Sequence, residues 1–331
     1  MVGSAEAPYR LRPCEAADAT AIVDLFHRSF QAPYDLEIWR WKYQRSPWAR
    51  PELSVVAQLE SGEIIGHFGA MLHPINLVGQ PRLAAQGTDV MIDERHRRRG
   101  AFRELFEAYL EGIVAAGIPA CLGFPNEHSL RGMHLAGHHV AIMEKYHLPL
   151  DSPHHARLRE RVNAVPEGSR FRFEFNPHYQ LDARYDAVWR SCSELESLSV
   201  WKDRDYLTWK YDSAPAPHRL FTLEFGGEIV ALGVCREREN RADVLELLAR
   251  DKNIHAAREL LLSLADHYLG RRFEELRFVG RDPWFFAEVF ADFERRPAFW
   301  GHVFVRAANR GEAFLYENPL NWTVASGDSD S

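Results

Sequence analysis

The hydrophobic pattern along this chain runs through one order of elements and then runs through it again. "YRLRPC" predicts a short strand. "EAADATAIVDLFHRSF" sets Ile22, Val23, Leu25, Phe26 and Phe30 at helical spacing. "LEIWRWKYQR" predicts a second, aromatic helix, stopped by Ser46 and Pro47. "LSVVAQLE", a turn at Ser61 and Gly62, and "EIIGHFGAMLHPINLVG" predict an antiparallel hairpin, and "RLAAQGTDVMID" a further strand. "AFRELFEAYLEGIVAAG" is an amphipathic helix closed by Gly117, and "IPACLGFP" a buried strand. "NEHSLRGMHLAG" predicts a short helix with Asn126 as its N-cap and Gly137 as its stop; "HHVAIMEKYHLPL" is the last strand of the set.

Residues 151–169 are polar and punctuated by proline, which predicts a linker. The order then returns. "FRFEF" is a strand and "ARYDAVWRSCSELE" a helix. "DRDYLTWKYDSAP" echoes "DLEIWRWKYQRSP", with Trp209-Lys210-Tyr211 matching Trp41-Lys42-Tyr43. A hairpin about Gly226-Gly227, "RADVLELLARD", the helix "HAARELLLSLADHYLG" and the strand "ELRFVG" complete it. A shared tripeptide alone would mean little, but the shared order around it implies an internal duplication. The expected class is α/β: two tandem domains, 1–150 and 170–331, each a central, mostly antiparallel mixed sheet flanked by helices.

Composition narrows the partners. The chain has 331 residues, 46% of them hydrophobic, enough for two sizeable cores. A formal charge of -7 disfavours general nucleic-acid binding. No apolar run reaches the roughly 18 residues of a membrane span, and "MVGSAEAPYR" lacks a hydrophobic signal core. Cys14, Cys121, Cys192 and Cys235 are widely spaced, as in a cytoplasmic protein with reduced thiols.

Against this acidic background, "DERHRRRGAFRELF" concentrates arginines just ahead of a helix. A helix N-terminus offers unpaired N–H groups and partial positive charge. Gly100 would let a backbone loop close on an anion, and arginines add bidentate donors for a pyrophosphate. The plain alternative is a solvated basic turn.

"VMIDERHRRRGAFRELF" resembles the coenzyme A loop of the GNAT acyltransferase superfamily, whose pattern is Arg/Gln-x-x-Gly-x-Gly/Ala after a strand. Arg97, Arg98, Arg99, Gly100 and Ala101 fill the first five positions; Phe102 stands where a small residue is usual, with Arg103 beside it. "GFPNEHSLRGMHLAGH" resembles the family's next motif, which would put Asn126 and Ser129 near the pantetheine arm. The resemblance covers residues 9–150 in motif and 170–307 in element order only. It implies acetyl-CoA or another acyl-CoA as co-substrate, an amine acceptor, and N–H groups of Val90, Met91 and Ile92 along the pantetheine. The second copy has "LLARDKNIHAARELL" at the loop position, without Arg-x-x-Gly, and reads as degenerate.

In such a mechanism the amine attacks the thioester directly. Asp89, on a mostly apolar strand beside the expected thioester, is the candidate general base; its plain alternative is an ion pair with no chemistry. The family's usual tyrosine acid is replaced by Met133. His134, His138 and His139 are interrupted by Gly137, and no metal is expected. Trp39, Trp41 and Trp48 are at core spacing. Asp328 and Asp330 could meet a cationic amine, and "NPLNWTVASGDSDS" resembles GNAT-like proteins linked to polysaccharide biosynthesis, so a sugar precursor stands beside other small-molecule amines as acceptor. The expected partners are that acceptor and, in a homodimer, a second copy of the chain; neither nucleic acid nor a membrane is expected. The rival readings are a CoA-binding regulatory protein without turnover and an aminoacyl-transferase of the paired-GNAT type.

Overall fold

The computed structural model describes residues 9–30, 32–97, 100–126, 129–130, 132, 138–164, 173–282 and 284–329. The first run of elements is β1 (Tyr9–Pro13), α1 (Ala19–Phe30), α2 (Leu36–Tyr43), β2 (Val55–Leu59), β3 (Ile64–Leu77), β4 (Gln80–Ile92), α3 (Ala101–Ala115) and β5 (Ala120–Gly123). There follow β6 (His138–Pro149), α4 (Pro153–Asn163), β7 (Glu174–Asn176), α5 (Tyr185–Leu195), β8 (Leu198–Val200), α6 (Arg204–Leu207), β9 (Arg219–Phe225), β10 (Glu228–Arg238), β11 (Arg241–Ala249), α7 (Ile254–Gly270), β12 (Glu275–Arg281), α8 (Phe285–Val289), β13 (Glu294–Ala307) and β14 (Val324–Ala325). They form two compact units. The first holds residues 1–74, 83–139 and 303–318; the second holds 75–82, 140–302 and 319–331.

In the first unit the strands lie in the order β1-β2-β3-β4-β5, antiparallel from β1 to β3 and parallel between β4 and β5. Side chains alternate across the sheet as a pleated strand requires. Val55 and Ala57 pack with Phe68, Leu105, Tyr109 and Ile113 on the α3 face. Val56, Ile64 and Met91 pack with Ile22, Leu25, Trp39 and Tyr43 from α1 and α2 on the other. Trp39 and Trp41 are buried, as their spacing predicts.

The second unit repeats this plan. Its strands lie in the order β6-β12-β11-β10-β9-β7, and β9-β10-β11-α7-β12 follows the order of β2-β3-β4-α3-β5. The core gathers Leu260, Leu261, Leu264 and Tyr268 of α7 with Leu158 and Val162 of α4 and Phe286 and Phe290. Trp209-Lys210-Tyr211 lies on a π-helical turn, Thr208–Asp212, that continues α6.

Two features depart from the reading of the sequence. The stretch expected as a linker contains α4, whose Pro153 sits in the first turn behind an Ser152 N-cap and whose buried face is His155, Leu158 and Val162. Proline there starts a helix; residues 165–169 lie outside the described residues. The chain also crosses between units. β5 is paired by Phe304–Ala307 of β13, and β12 is paired by Glu144–Pro149 of β6. Each unit therefore closes its sheet with the strand that follows the other copy's helix, and the compact units are not the segments 1–150 and 170–331.

Candidate active site

The site of the first unit begins where β4 outlasts β5. Their ladder holds Ala85–Cys121, Gln86–Leu122 and Gly87–Gly123; β5 then ends, while β4 runs on to Ile92. Beyond Gly87 the β4 edge on the β5 side is open among the described residues. Asp89, the first residue after Thr88, has φ 48°, a left-handed conformation that costs a non-glycine residue roughly 1–3 kcal/mol. Met91 points into the α1/α2 core, while Val90 and Ile92 pack against the α3 face. The kink turns the Asp89 carboxylate into a dense polar shell.

That shell is built mainly from α2 and the loop before it. Asp35 caps α2 by accepting from the Ile38 N–H, and the Tyr43 ring packs back on Trp39, tilted, at 5.6 Å. Lys42 then reaches Asp89 Oδ1 at 2.8 Å, with both side chains about 95% buried. The hydroxyls of Tyr34 and Tyr43 each donate to Oδ2 at 2.7 Å. Tyr34 lies stacked on Phe26 at 4.1 Å, and the Lys42 ammonium stands 5.5 Å from its ring. Gly69 makes room for this: a Cβ there would sit 2.1 Å from the Tyr43 hydroxyl and 2.6 Å from the Thr88 carbonyl.

His67 of β3 holds the kink from behind. It is fully buried, and burial pushes its pKa down, so the ring is neutral. Its Nδ1 is 2.8 Å from the Asp89 carbonyl, which can only accept, so Nδ1 carries the hydrogen. Among the described residues Nε2 is a buried acceptor with no hydrogen-bond partner.

At the other end of the open edge, Gly100 has φ 90° and serves as N-cap of α3. A side chain would find space there but not that backbone conformation. The first helical bonds run from the Arg103 and Glu104 N–H groups to the Gly100 carbonyl, which leaves the N–H groups ahead of them facing outward. Phe102 does not crowd this cradle. Its ring packs inward on Phe68, and a Cβ on Gly132 would meet it at 2.9 Å. Ala101 is buried beneath it.

The arginines divide. Arg95 is committed to Asp93 and Glu63, and its guanidinium holds Asp93 well below the usual carboxylate range. Arg97 donates from Nε to the Ile92 carbonyl at 2.9 Å, with its exposed head beside the open strand edge. Arg103 is exposed and pairs with Glu107. Arg98, Arg99, Met133 and His134 lie outside the described residues. Asn126 accepts from the Ser129 N–H at 3.0 Å, as the predicted N-cap would. Among the described residues, no cluster suited to a metal ion is present, and no helix is long and apolar enough to cross a membrane.

The second unit treats the equivalent places differently. Its helix α7 is capped by Asn253, and Lys252, just ahead of it, is turned inward onto Asp282 and Glu196. Its counterpart of Asp89 is Glu246, fully buried, accepting from Tyr211 at 2.7 Å and from Lys202 at 2.7 Å.

Residues 10–132 match the acetyltransferase (GNAT) domain family. Over those residues the chain is similar to a GNAT acetyltransferase domain. Solved structures agree on the fold of nearly the whole chain. A probable N-acyltransferase from Enterococcus faecalis V583 superposes with TM-score 0.67 at 12% identity, over 91% of this chain and 73% of that one. A GCN5-related N-acetyltransferase from Anabaena variabilis ATCC 29413 gives 0.69 at 12%, over 92% and 74%. One from Kribbella flavida gives 0.64 at 14%, over 92% and 72%. No curated protein matches the sequence significantly. The GNAT family transfers acyl groups to amines.

The residues that sequence reasoning missed are Tyr34, Lys42, Tyr43 and His67. Lys42 and Tyr43 carry a signal in the repeated Trp-Lys-Tyr, which marks the duplication before it marks chemistry; Tyr34 and His67 stand outside that repeat.

Proposed function

We propose that the first unit transfers an acyl group, acetyl or longer, from coenzyme A to the amine of a small molecule or sugar precursor. The observation that carries this is the open edge of β4 leading to a left-handed Gly100 at the start of α3. In this reading the N–H groups of Val90, Met91 and Ile92 face the pantetheine and thioester. Arg97 to Arg103, with Gly100 at the centre, take the pyrophosphate, and Asn126 and Ser129 flank the arm.

The amine nitrogen attacks the thioester carbonyl carbon, the C–S bond breaks, and the electron pair leaves on the CoA sulfur. The amine's proton goes to Asp89. Lys42, Thr88 and the two tyrosines already engage that carboxylate, so the transfer runs through a hydroxyl: Tyr34 or Tyr43 takes the amine proton as it passes its own to Oδ2. Release of free CoA thiol from acetyl-CoA, followed over a panel of amines, tests the activity; no release with any amine, in a protein that binds acetyl-CoA, overturns it. The second reading, a CoA-binding protein without turnover, draws on the fully engaged Asp89 oxygens. The second unit is read as a degenerate GNAT copy, because Lys252 and its acidic partners stand where an anion cradle would form.

A further inference from the structure

In the second unit, too, the strand before the long helix outlasts its parallel neighbour. β11 pairs β12 from Arg241–Glu275 to Val244–Phe278 and then continues to Ala249. The opening is filled. β14 pairs β12 through Gly280–Ala325 and Arg281–Val324. Gly280 also pairs Glu144 of β6, which uses the opposite edge of β12. β14 therefore lies on the β11 side, in the gap that corresponds to the open edge of β4. This correspondence stands on topology and does not depend on the function proposed for the first unit.

The inserted segment is recognised at every step. Trp322 is buried and bridges to Leu198, and the Thr323 N–H donates to the Leu198 carbonyl at 2.8 Å. A Cβ on Gly280 would sit 2.8 Å from the Val324 carbonyl, so a glycine admits the added strand. Gly327 is itself seated tightly: a Cβ there would lie 2.2 Å from the Tyr211 hydroxyl and 2.4 Å from Glu246 Oε1. The Asp328 carboxylate, fully buried, meets the Lys202 ammonium at 2.8 Å. Lys210 donates to the Ser329 carbonyl at 2.7 Å. Strand addition, a glycine seat and a carboxylate on a buried lysine are the marks of a peptide site.

We propose that the gap between β11 and β12 is a peptide-binding groove for a Trp-x-x-x-x-Gly-Asp segment that adds a two-residue strand and ends in a 3-10 turn, and that residues 319–329 of this chain are its resident ligand. The ligand class is an acidic peptide, not an acyl-CoA.

The test keeps the chain whole until the last step. A protease site is inserted between Asn318 and Pro319, the folded protein is cut, and the nicked protein is passed through gel filtration. The fragment is expected to stay bound. A fluorescent peptide of residues 319–331 is expected to exchange into the nicked protein saturably. The same peptide with Gly327→Val is expected to bind at least about a hundredfold more weakly, and with Asp328→Asn about tenfold, since each 1.4 kcal/mol is a factor of ten. Because these substitutions are in the added peptide, folding of the protein is not at issue. Immediate loss of the cut fragment, or equal binding of all three peptides, would overturn the inference. Displacement of the peptide by acetyl-CoA would also overturn it, by making the groove a site for the thioester.

Discussion

Asp89 and Glu246 occupy the same position on two equivalent strands, each three residues from the strand's end. Each accepts a hydrogen bond from the tyrosine of a Trp-Lys-Tyr turn. Each also has a buried lysine, but from different places: Lys42 comes from the motif itself, Lys202 from the loop before α6. A glycine presses against the tyrosine hydroxyl in both, Gly69 of β3 in one and Gly327 of the inserted segment in the other. The shared bond ties the motif turn to the central strand and would exist without catalysis. The differences therefore carry the functional information: an open strand edge and glycine cradle in the first unit, an occupied gap and inward-turned lysine in the second.

The largest expected effect concerns the crossing strands. A chain ending at Ser152 lacks Phe304–Ala307 and leaves the edge of β5 unpaired, an invitation to association. It is expected to aggregate in size-exclusion chromatography; a monomeric, fully active fragment would show that the first unit is complete without β13.

The cradle comes next. Gly100→Glu puts a strained backbone and a like charge where the pyrophosphate is proposed to sit, and acetyl-CoA affinity is expected to fall at least about a hundredfold. Asn253→Asp at the equivalent helix start of the second unit is expected to change nothing. Calorimetric titration of both variants reads the contrast directly, and equal effects would erase it.

Asp89→Asn and Glu246→Gln compare the two carboxylates. If the first moves protons, kcat falls by about 10²–10⁴ with acetyl-CoA affinity nearly unchanged, the usual range for a general base. Glu246→Gln leaves kcat as it is. Tyr34→Phe, which removes one donor and keeps the Lys42 pair, separates chemistry from damage to the fold: it lowers kcat only if that hydroxyl relays the proton.

The smallest effect is one of pH. Burial first, and then the nearby charge of Asp328, pushes Glu246 up to about 7, against the pull of Lys202. A carboxyl raised in the folded state favours folding while it is protonated. Its contribution is therefore full below the unfolded value near 4.5 and is lost as pH rises through about 7. The melting temperature is expected to decline over that interval, and Glu246→Gln to flatten the decline. An unchanged slope in the variant would place the titration elsewhere.

What could be read in the sequence was local. The helix carrying Leu105, Phe106 and Tyr109, the hairpin turning at Gly62 and the demand for glycine at position 100 each depend on residues within a few positions. The duplication was legible because a tripeptide and an element order recur. The shell of Asp89 was not, since Tyr34, Lys42 and His67 lie 55, 47 and 22 positions away and no local period marks them. The helix Pro153–Asn163 was hidden by its polarity, with only Leu158 and Val162 as apolar contacts among arginines and histidines. Strand exchange leaves no local trace either: Val303 and Val305 look like any strand, and which edge they join is settled by distant neighbours.

The crossing of β13 also sets an order in time. The first unit's sheet is closed by residues near 307, although its own run of elements ends with β5 at Gly123. On a ribosome adding about 5–20 residues per second, the β5 edge waits roughly 10–40 s for its partner to be synthesised. During that interval the nascent sheet ends in a strand, Ala120–Gly123, paired with β4 on one side and bare on its outer edge. Protection of that edge during synthesis, by a chaperone or by transient pairing with β6, is then a requirement on the yield of this protein rather than on its final stability.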